Sequence, residues 1–468
     1  MTEHTDEVLG KAYDARLMRR LLTYLRPYRP AVAISLCAIV GHSLMQLAQP
    51  YLTKLAIDRH ILTGNLSGLE EIVLLFFAML IGSFVLEYLE TYTMQLMGQR
   101  IMFDLRKQIY EHLQRIDVRF YDRNPVGRLM TRVTTDVDAL NDLFASGVIA
   151  VFRDVVLLVG IMVVLLWMDW RLALVAFSVL PLIAVVTQWF RRNARESYRD
   201  VRGWIARINA FLQENISGMS TVQLFRREAR NFAMFDDVNR RHRNANLDSI
   251  FYYATFYPTI EFLAALATAL IIWFGGGWSL EGTLTLGSLV AFVQYSQRFF
   301  RPISDLSEKF NILQAAMASS ERIFGLLDTP VDLVSPEPGG RLEGPGRIAF
   351  ENVWFAYRDA DYVLRDVSFT VDPGERVGIV GATGAGKTTL INLLLRFYDV
   401  NRGRITVDGV DIREIPLDEL RRRFGLVLQD VFLFSGTIRD NISLGQSSIT
   451  DADIRNAVAN AARNSMVG

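Results

Sequence analysis

Nine consecutive residues towards the C-terminus combine glycine, lysine and threonine in a spacing suited to holding an anion. They are Gly381, Ala382, Thr383, Gly384, Ala385, Gly386, Lys387, Thr388 and Thr389, which fit G-x-x-x-x-G-K-[ST] at every fixed position. Glycines let backbone N–H groups turn inward around an anion, and a helix that begins there adds its positive end. The pattern predicts a loop that binds nucleotide phosphates, with Lys387 at the β- and γ-phosphates and the Thr388 hydroxyl on Mg²⁺. A glycine-rich turn without a ligand is the simpler alternative.

The residues on both sides of this loop must position it. The apolar run 376–380 predicts a buried strand that leads into the loop, and 389–395 predicts a helix that leads out. A second apolar run, 424–428, predicts another buried strand, which ends at Gln429. Strand, loop and helix in this order are the context that the phosphate-binding pattern requires.

Alternating patterns before and after the loop predict further strands. They cover 348–357, 363–371 and 403–409, and the last of them turns at an Asp-Gly pair. Tyr357 ends the first strand. Its ring is placed either to stack on a nucleotide base or to serve as an ordinary tyrosine of a surface strand.

Charge and hydropathy restrict the classes of partner. Lys plus Arg and Asp plus Glu balance at 50 each, so no global basic excess points to a nucleic acid. Hydrophobic residues make up 51% of the chain and concentrate in long runs before about residue 310, which indicates a membrane protein. The only cysteine, Cys37, excludes an intrachain disulfide and gives no indication of an oxidising compartment.

Six apolar runs can each cross about 30 Å of hydrocarbon at about 1.5 Å per residue, some only with tilt or polar ends. They are 31–57, 72–98, 146–168, 172–190, 251–274 and 284–300. The connection 99–145 carries eight arginine and lysine residues and 275–283 carries none, so the basic connections and both termini are predicted to be cytoplasmic. Buried helices of a soluble protein would not need six runs of this length with that charge asymmetry.

The two inner connections are unusually long and predict helical continuations of the spans. Breaks are expected near Asn124-Pro125-Val126-Gly127 and near Ser217-Gly218, so that each connection presents a short transverse helix below the membrane. Solvated charged loops are the alternative, although long loops without a role are uncommon. Before the first span, 17–25 predicts an amphipathic helix on the membrane surface rather than a cleaved signal.

Several polar side chains fall at membrane depth. They are His42, Gln46, Gln49, Thr53, Glu87, Glu90, Glu261, Gln294, Arg298 and Arg301. The helical spacing of the first four of these residues places them on one face of the first span. Structural pairing or snorkelling is one interpretation, and direct contact with a transported substrate is the other.

Motifs in both halves together resemble one known family. Residues 353–357, the phosphate loop, 405–409, 428–434 and 436–442 resemble the first half of an ABC transporter nucleotide-binding domain. Residues 120–132, followed by Asp136, resemble the first intracellular loop of ABC exporters. With six spans fused ahead of the nucleotide domain, the chain is most similar to one half of a heterodimeric multidrug or lipid exporter.

The resemblance implies a multidomain fold, in which an α-helical polytopic membrane domain of six spans precedes a partial α/β P-loop nucleotide-binding domain. We expect a cytoplasmic amphipathic segment at 1–30, the transmembrane domain with its long cytoplasmic helical loops at 31–315, a linker at 316–346 and the N-terminal part of the nucleotide-binding domain at 347–468.

The resemblance also implies roles for the site residues. Tyr357 would stack on adenine, residues 381–389 would hold the phosphates of ATP, and Thr388 with Gln429 would bind Mg²⁺. The segments 119–125 and 211–218 would be coupling helices that dock on nucleotide domains. The implied partners are a second half-transporter, which forms a homo- or heterodimer with this chain, membrane lipid and an amphipathic small molecule. No nucleic acid is expected, and the implied location is the cytoplasmic (inner) membrane.

One departure from the family pattern leads to a further expectation. Nothing after Gln429 resembles the LSGGQ signature, the Walker B strand with its Asp and catalytic Glu, or the switch His, so we expect a C-terminally truncated form without ATP hydrolysis and name no catalytic residue. The function implied is ATP-driven export by a dimer. The alternatives are a non-catalytic ATP-binding partner that regulates a competent subunit, and an importer built on the same fold.

Overall fold

The computed structural model describes residues 14–64, 67–144, 148–336, 339–340, 342–358, 360–429, 431–446 and 448–465. The chain forms two compact units. Unit 1 comprises Met1–Ile116 and Arg123–Pro330, and unit 2 comprises Asp117–Asp122 and Val331–Gly468. Unit 2 therefore includes a short piece of the first long connection between predicted spans.

All regular structure described in unit 1 is helical. In chain order the helices are α1 (Ala15–Thr23), α2 (Arg29–Ala56), α3 (Leu69–Arg115), α4 (Val118–Arg123, of which only Arg123 belongs to this unit), α5 (Val126–Val133), α6 (Thr135–Asp142), α7 (Val148–Met168), α8 (Trp170–Phe177), α9 (Leu180–Ser217), α10 (Met219–Leu224), α11 (Glu228–Leu270), α12 (Gly276–Leu280) and α13 (Leu286–Leu327). A 3-10 turn at Arg26–Tyr28 and two π-helical turns at Ile57–Ile61 and Ile271–Gly275 connect some of them.

Helical segments in unit 1 account for the apolar runs of the sequence. Among the described residues, five are long and apolar enough to cross a membrane: Arg26–Ile61, Leu69–Arg115, Ala150–Met168, Trp170–Ser217 and Glu228–Leu280. They carry the first five predicted spans, and the sixth predicted span falls almost entirely within α13. Their outer faces expose large apolar side chains, for example Phe84 at 71% and Trp273 at 78%. Lipid must cover such faces, which confirms the prediction of a helical transmembrane domain.

Four helices are much longer than a bilayer requires. The helices α3, α9, α11 and α13 contain 47, 38, 43 and 42 residues, which corresponds to about 57 to 70 Å against about 30 Å of hydrocarbon. The predicted breaks are present, because α4 ends before Asn124-Pro125 and α9 ends at Ser217. Each break borders a six-residue helix, α4 or α10, as the sequence predicts.

The packing of unit 1 rests on aromatic and aliphatic contacts between its long helices. Phe190 of α9 stacks on Phe256 of α11 with ring centroids 4.1 Å apart. Phe292 and Tyr295 of α13 are fully buried in the same cluster. Close packing of this kind orders helices that differ little in hydropathy from the lipid around them.

The amphipathic helix predicted over 17–25 forms as α1, but its placement differs from the prediction. Met18 and Leu21 are buried inside unit 1 instead of facing a lipid surface. Arg20 donates two hydrogen bonds to Asp328, at 2.7 and 2.8 Å, and the ring of Tyr24 stacks on Phe324. The apolar face of α1 is thus covered by the end of α13, which lies too far along the chain for a local pattern to reveal.

Polar residues at membrane depth are largely paired with one another. His42 is 3.0 Å from Gln46 and 3.5 Å from Glu90, and Arg153 of α7 donates to Glu90 at 2.9 Å. Arg298 of α13 donates to the Gln49 side chain at 2.9 Å. These contacts fit the structural-pairing interpretation.

Other members of the polar set stand apart from this network. The Thr53 hydroxyl donates to the backbone of its own helix, Gln294 is half-buried, and Glu87 and Glu261 are exposed. The Arg301 side chain lies outside the described residues.

Unit 2 is built on a small antiparallel sheet. Its strands are β1 (Ile348–Ala356), β2 (Tyr362–Val371), β3 (Arg402–Val407) and β4 (Val410–Asp411) in the order β2-β1-β3-β4, and its helices are α14 (Lys387–Leu394), α15 (Leu417–Arg422), α16 (Ile438–Ser443) and α17 (Asp451–Ser465). Phe350 lies opposite Phe369 on one side and Ile405 on the other. This confirms the strands predicted over 348–357, 363–371 and 403–409, including the turn at Asp408-Gly409.

Two strands predicted to be buried do not form. Residues 376–380 and 424–428 lie outside regular structure, and Val380 and Val427 are 93% and 97% exposed. An isolated apolar run becomes a strand only when a neighbouring strand satisfies its N–H and C=O groups. No such neighbour pairs with either run among the described residues, so hydropathy alone gives the wrong structure at these two places.

Candidate functional site

The predicted phosphate loop connects a segment without regular structure to helix α14. Gly384 and Gly386 have φ of +86° and +89°, in the left-handed region that side chains with a Cβ rarely adopt. A Cβ on Gly386 would also come within 2.8 Å of the Leu364 side chain on β2. Both glycines are therefore required by the shape of the loop, and Gly386 directly precedes the first turn of α14.

The lysine of the motif lies against the loop itself. Lys387 is the first residue of α14, and its ammonium donates to the carbonyl oxygens of Gly381 and Ala382 at 2.8 and 2.9 Å. The charge is thus held at the mouth of the loop, where an anion can meet both the ammonium and the N-terminal N–H groups of α14.

The two threonines that follow differ in environment. Thr388 is exposed, and its hydroxyl has no hydrogen-bond partner in the part of the chain that the structure describes. Thr389 is buried and accepts a hydrogen bond from the Tyr357 hydroxyl at 3.1 Å. Of the pair, only Thr388 presents an unengaged oxygen, which agrees with the metal role that the motif assigns to it.

Tyr357 is half-buried immediately after β1, next to a second tyrosine. Its ring packs edge-on against Tyr398 at 5.2 Å and against Phe355 at 4.8 Å, while its hydroxyl reaches Thr389. Edge-to-face contacts are a favoured aromatic geometry, so the position of the Tyr357 ring is fixed from the side. The structure thus joins the tyrosine to the phosphate loop, although the two are 24 or more residues apart in sequence.

Tyr398 extends this arrangement away from the loop. Its hydroxyl donates to Asp122 of the α4 segment at 2.6 Å, and both residues belong to unit 2. Burial, and then the hydrogen bond to the Asp122 carboxylate, raise the pKa of Tyr398 above its usual value, which keeps the phenol a donor. A continuous series of contacts therefore runs from Thr389 through Tyr357 and Tyr398 to Asp122.

A second pair of contacts holds the start of the same segment. The carboxylate of Asp117 accepts hydrogen bonds from the backbone N–H groups of Asp332 and Leu333, at 2.9 and 3.1 Å. The piece 117–122 is therefore fixed within unit 2 at both of its ends. Sequence reasoning missed Tyr398 and Asp117, because a Phe-Tyr-Asp sequence after a helix and one aspartate in a charged connection carry no periodic signal.

The remaining predicted site residue, Gln429, has no described hydrogen bond to the loop. Gln429 is exposed and directly follows the apolar run 424–428, and the two predicted metal ligands, Gln429 and Thr388, are not hydrogen-bonded to each other among the described residues. An amide oxygen and a hydroxyl are both ligands that Mg²⁺ accepts, and this ion is commonly bound by one or two protein groups plus phosphate oxygens and water. The side chains present thus fit a metal that arrives with a nucleotide.

Similarity to known proteins decides the family. A family model for the ABC transporter transmembrane region matches residues 32–303, and a second one, described as ABC transporter, matches residues 364–467. The chain belongs to the ABC transporter family. It is a multi-pass membrane protein with a domain that binds ATP, and its transport is coupled to an ATPase.

Relatives among known proteins support the same assignment for the transporter. This chain is 34% identical over 459 residues to an uncharacterised ABC transporter ATP-binding protein (YknV) of Bacillus subtilis, and the aligned region covers 97% of this chain and 76% of the relative. It is 32% identical over 439 residues to an ATP-dependent lipid A-core flippase of Syntrophus aciditrophicus, covering 94% and 73%. A probable multidrug resistance ABC transporter ATP-binding/permease protein (YheH) of Bacillus subtilis is 34% identical over 401 residues, covering 84% and 59%.

Proposed function

We propose that this ABC transporter is one half of a dimeric exporter that moves amphipathic small molecules, drugs or lipids out of the cell across the cytoplasmic membrane. The observation that carries the proposal is the series of contacts from the phosphate loop to Asp122, because it connects a nucleotide site to a segment between two spans. The names of two relatives, a lipid A-core flippase and a probable multidrug resistance transporter, suggest the substrate class.

In this proposal each residue of the site has one task. Lys387 and the N–H groups of the loop bind the β- and γ-phosphates of ATP, and Tyr357 stacks on the adenine. Thr388 and Gln429 hold Mg²⁺, which offsets the charge of the phosphates when it is bound. Tyr398 holds the segment 117–122, so a change of the nucleotide site is passed to the adjoining helices.

We also propose how the chain is oriented in the membrane and that it assembles as a dimer. Both termini and the nucleotide domain (347–468) face the cytoplasm, as do the amphipathic segment 1–30 and the linker 316–346 that follows the transmembrane domain (31–315). This orientation is supported by the basic residues of the connection 99–145, because such residues are enriched on the cytoplasmic side of a membrane. A second half-transporter, identical or different, completes the dimer, and limited proteolysis is expected to cut first between 328 and 346, after α13.

Residues 1–468 on their own are proposed to bind ATP without turning it over above background. Thr388 and Gln429 offer two ligands for Mg²⁺, and nothing in the sequence after Gln429 resembles the strand-borne Asp or the catalytic Glu of the family. Phosphoryl transfer depends on groups positioned around the metal and the attacking water, and losing one costs about a thousandfold or more. Turnover by these residues that disappears in Lys387→Ala would contradict the proposal.

Transport in oriented vesicles tests the main proposal and its two alternatives. ATP should drive a fluorescent amphipathic cation into inside-out vesicles that carry the assembled transporter, and Lys387→Ala should abolish this uptake. ATP-driven uptake into right-side-out vesicles would indicate an importer instead. If transport by the assembly were unaffected by Lys387→Ala, this chain would be a regulatory partner of a competent subunit.

A further inference from the structure

A groove lies beside the turn that joins α1 to α2, far along the chain from the nucleotide site. Its volume is about 300 Å³, and it is lined by two arginines, Arg26 and Arg29, and by aliphatic side chains that include Leu22, Leu25, Val32 and Leu36. The arginines lie at the turn, and the aliphatic residues continue into the first span. Charge at one end and apolar surface at the other make the groove amphipathic.

The two arginines are free to meet a ligand. Both are exposed, and neither makes a hydrogen bond or an ion pair within the described part of the chain. The two tyrosines of the same turn point the other way, because Tyr24 donates to Gln108 at 2.7 Å and Tyr28 donates to Asp104 at 2.6 Å. The turn is therefore anchored on α3 by one side, and its other side presents two arginines that have no partner among the described residues.

The apolar end of the groove continues along the outer face of α2. Leu36, Val40 and Leu44 follow one another at intervals of four residues and are 38%, 41% and 60% exposed. They form a stripe of about 12 Å on one side of the helix. The opposite side of α2, with Ala38 and Ile39, is buried in the protein.

We propose that this groove binds one anionic phospholipid, with its phosphate between Arg26 and Arg29 and one acyl chain along the stripe on α2. Guanidinium groups bind phosphate oxygens in a fixed, bidentate geometry, and basic residues beside a span attract anionic lipid. A zwitterionic lipid would bind the two arginines more weakly, because the cationic group of its own headgroup lies next to the phosphate and offsets its charge. The lipid would brace the turn from the side that α3 leaves uncovered.

Native mass spectrometry of the purified chain in detergent, titrated with phosphatidylglycerol, tests this site. The wild type should retain one phosphatidylglycerol per chain in preference to phosphatidylcholine. The double variant Arg26→Gln/Arg29→Gln should bind it about 30-fold more weakly, from the usual contribution of two arginines near an anionic headgroup. Arg16→Gln/Arg19→Gln removes the same charge from exposed positions of α1 that do not line the groove, and should bind as the wild type does.

A second variant tests the apolar end without changing charge. Ala33 lines the groove and is exposed, so Ala33→Phe should fill the groove and weaken phosphatidylglycerol binding while the melting temperature stays unchanged. Equal loss of binding in the Arg16/Arg19 control would overturn the proposal in favour of a diffuse attraction between a basic N-terminus and anionic lipid. Unchanged binding in Ala33→Phe, or competition by inorganic phosphate alone, would overturn it as well.

Discussion

At the scale of single residues, Lys387 is the charge on which phosphate binding depends. Its ammonium already lies within 2.9 Å of two loop carbonyls, so a bound phosphate gains a hydrogen bond from a charged donor without a large movement of the side chain. Such bonds contribute about 1.5–3 kcal/mol. Lys387→Ala should therefore weaken ATP binding about 10- to 100-fold in a fluorescence titration.

The control for this variant is Lys107→Ala, which removes an exposed lysine from α3 in the other unit. It should leave ATP affinity unchanged. Wild-type affinity in Lys387→Ala would mean that the loop does not bind the nucleotide phosphates.

Tyr357 offers a separate test at the same scale, since its ring and its hydroxyl have different contacts. Tyr357→Phe removes only the hydrogen bond to Thr389 and should change ATP affinity by less than about threefold. Tyr357→Ala also removes the ring, and stacking on a base contributes about 1–3 kcal/mol, so affinity should fall about 5- to 100-fold. Equal affinities of the two variants for ATP would show that the ring does not stack on adenine.

At the scale of elements, Tyr398 makes one of the two described attachments of the segment 117–122 to the rest of unit 2. Tyr398→Phe keeps the ring against Tyr357 and removes the hydrogen bond to Asp122. We expect ATP affinity within about twofold of the wild type, and amide exchange in residues 118–122 about tenfold faster or more, since the lost bond has a carboxylate acceptor. Because the pKa of Tyr398 is raised, the bond should persist as pH rises to 10 and be lost only above that.

Tyr362→Phe is the matched control for this prediction. It removes the hydroxyl of a half-buried tyrosine on β2, and this hydroxyl has no described hydrogen-bond partner, so exchange in α4 should stay as in the wild type. A Tyr398→Phe variant that lost ATP binding itself would contradict the role assigned to this tyrosine.

The buried carboxylate of α3 supports a prediction about helix packing. Glu90 is 1% exposed and joins Arg153 of α7 to His42 of α2. Glu90→Gln removes the buried charge that faces the guanidinium but keeps an acceptor oxygen. Because the Arg153 side chain is 36% exposed and Asp154 approaches it at 3.7 Å, the expected loss is about 1–3 kcal/mol. The melting temperature in detergent should fall clearly.

The exposed pair Glu111–Arg115 provides the control, because Glu111→Gln makes the same substitution about one turn before the end of α3. Exposed pairs of this kind contribute about 1 kcal/mol or less, so its melting temperature should change little. Equal shifts in the two variants would mean that the Glu90 contacts add nothing to the packing of the three helices.

At the scale of the whole molecule, the sequence predicts what local patterns determine. Long apolar runs predict the helices that cross the membrane, and a proline or a glycine predicts where the long inner connections break. Alternation predicts β1, β2 and β3, because each of them faces a core on one side. The phosphate loop is identified because its residues are consecutive.

Contacts between distant residues could not be predicted in this way. Tyr398 and Asp122 are 276 residues apart, and neither stands in a pattern that points to the other. The runs 376–380 and 424–428 have the composition of buried strands but lack paired neighbours among the described residues. Helix α1 has an amphipathic pattern that suits a membrane or a protein surface equally, and only the fold brings α13 to it.

The central claim is that nucleotide bound at the phosphate loop is sensed by the segment 117–122. Hydrogen exchange of the chain with and without ATP measures this directly. The reference is Lys387→Ala, compared at an ATP concentration that occupies the wild type and leaves this weakened variant largely empty. We predict that ATP slows exchange both at residues 381–389 and at residues 118–122 in the wild type, and at neither in Lys387→Ala. Protection of the loop by ATP with unchanged exchange at 118–122 would contradict the account.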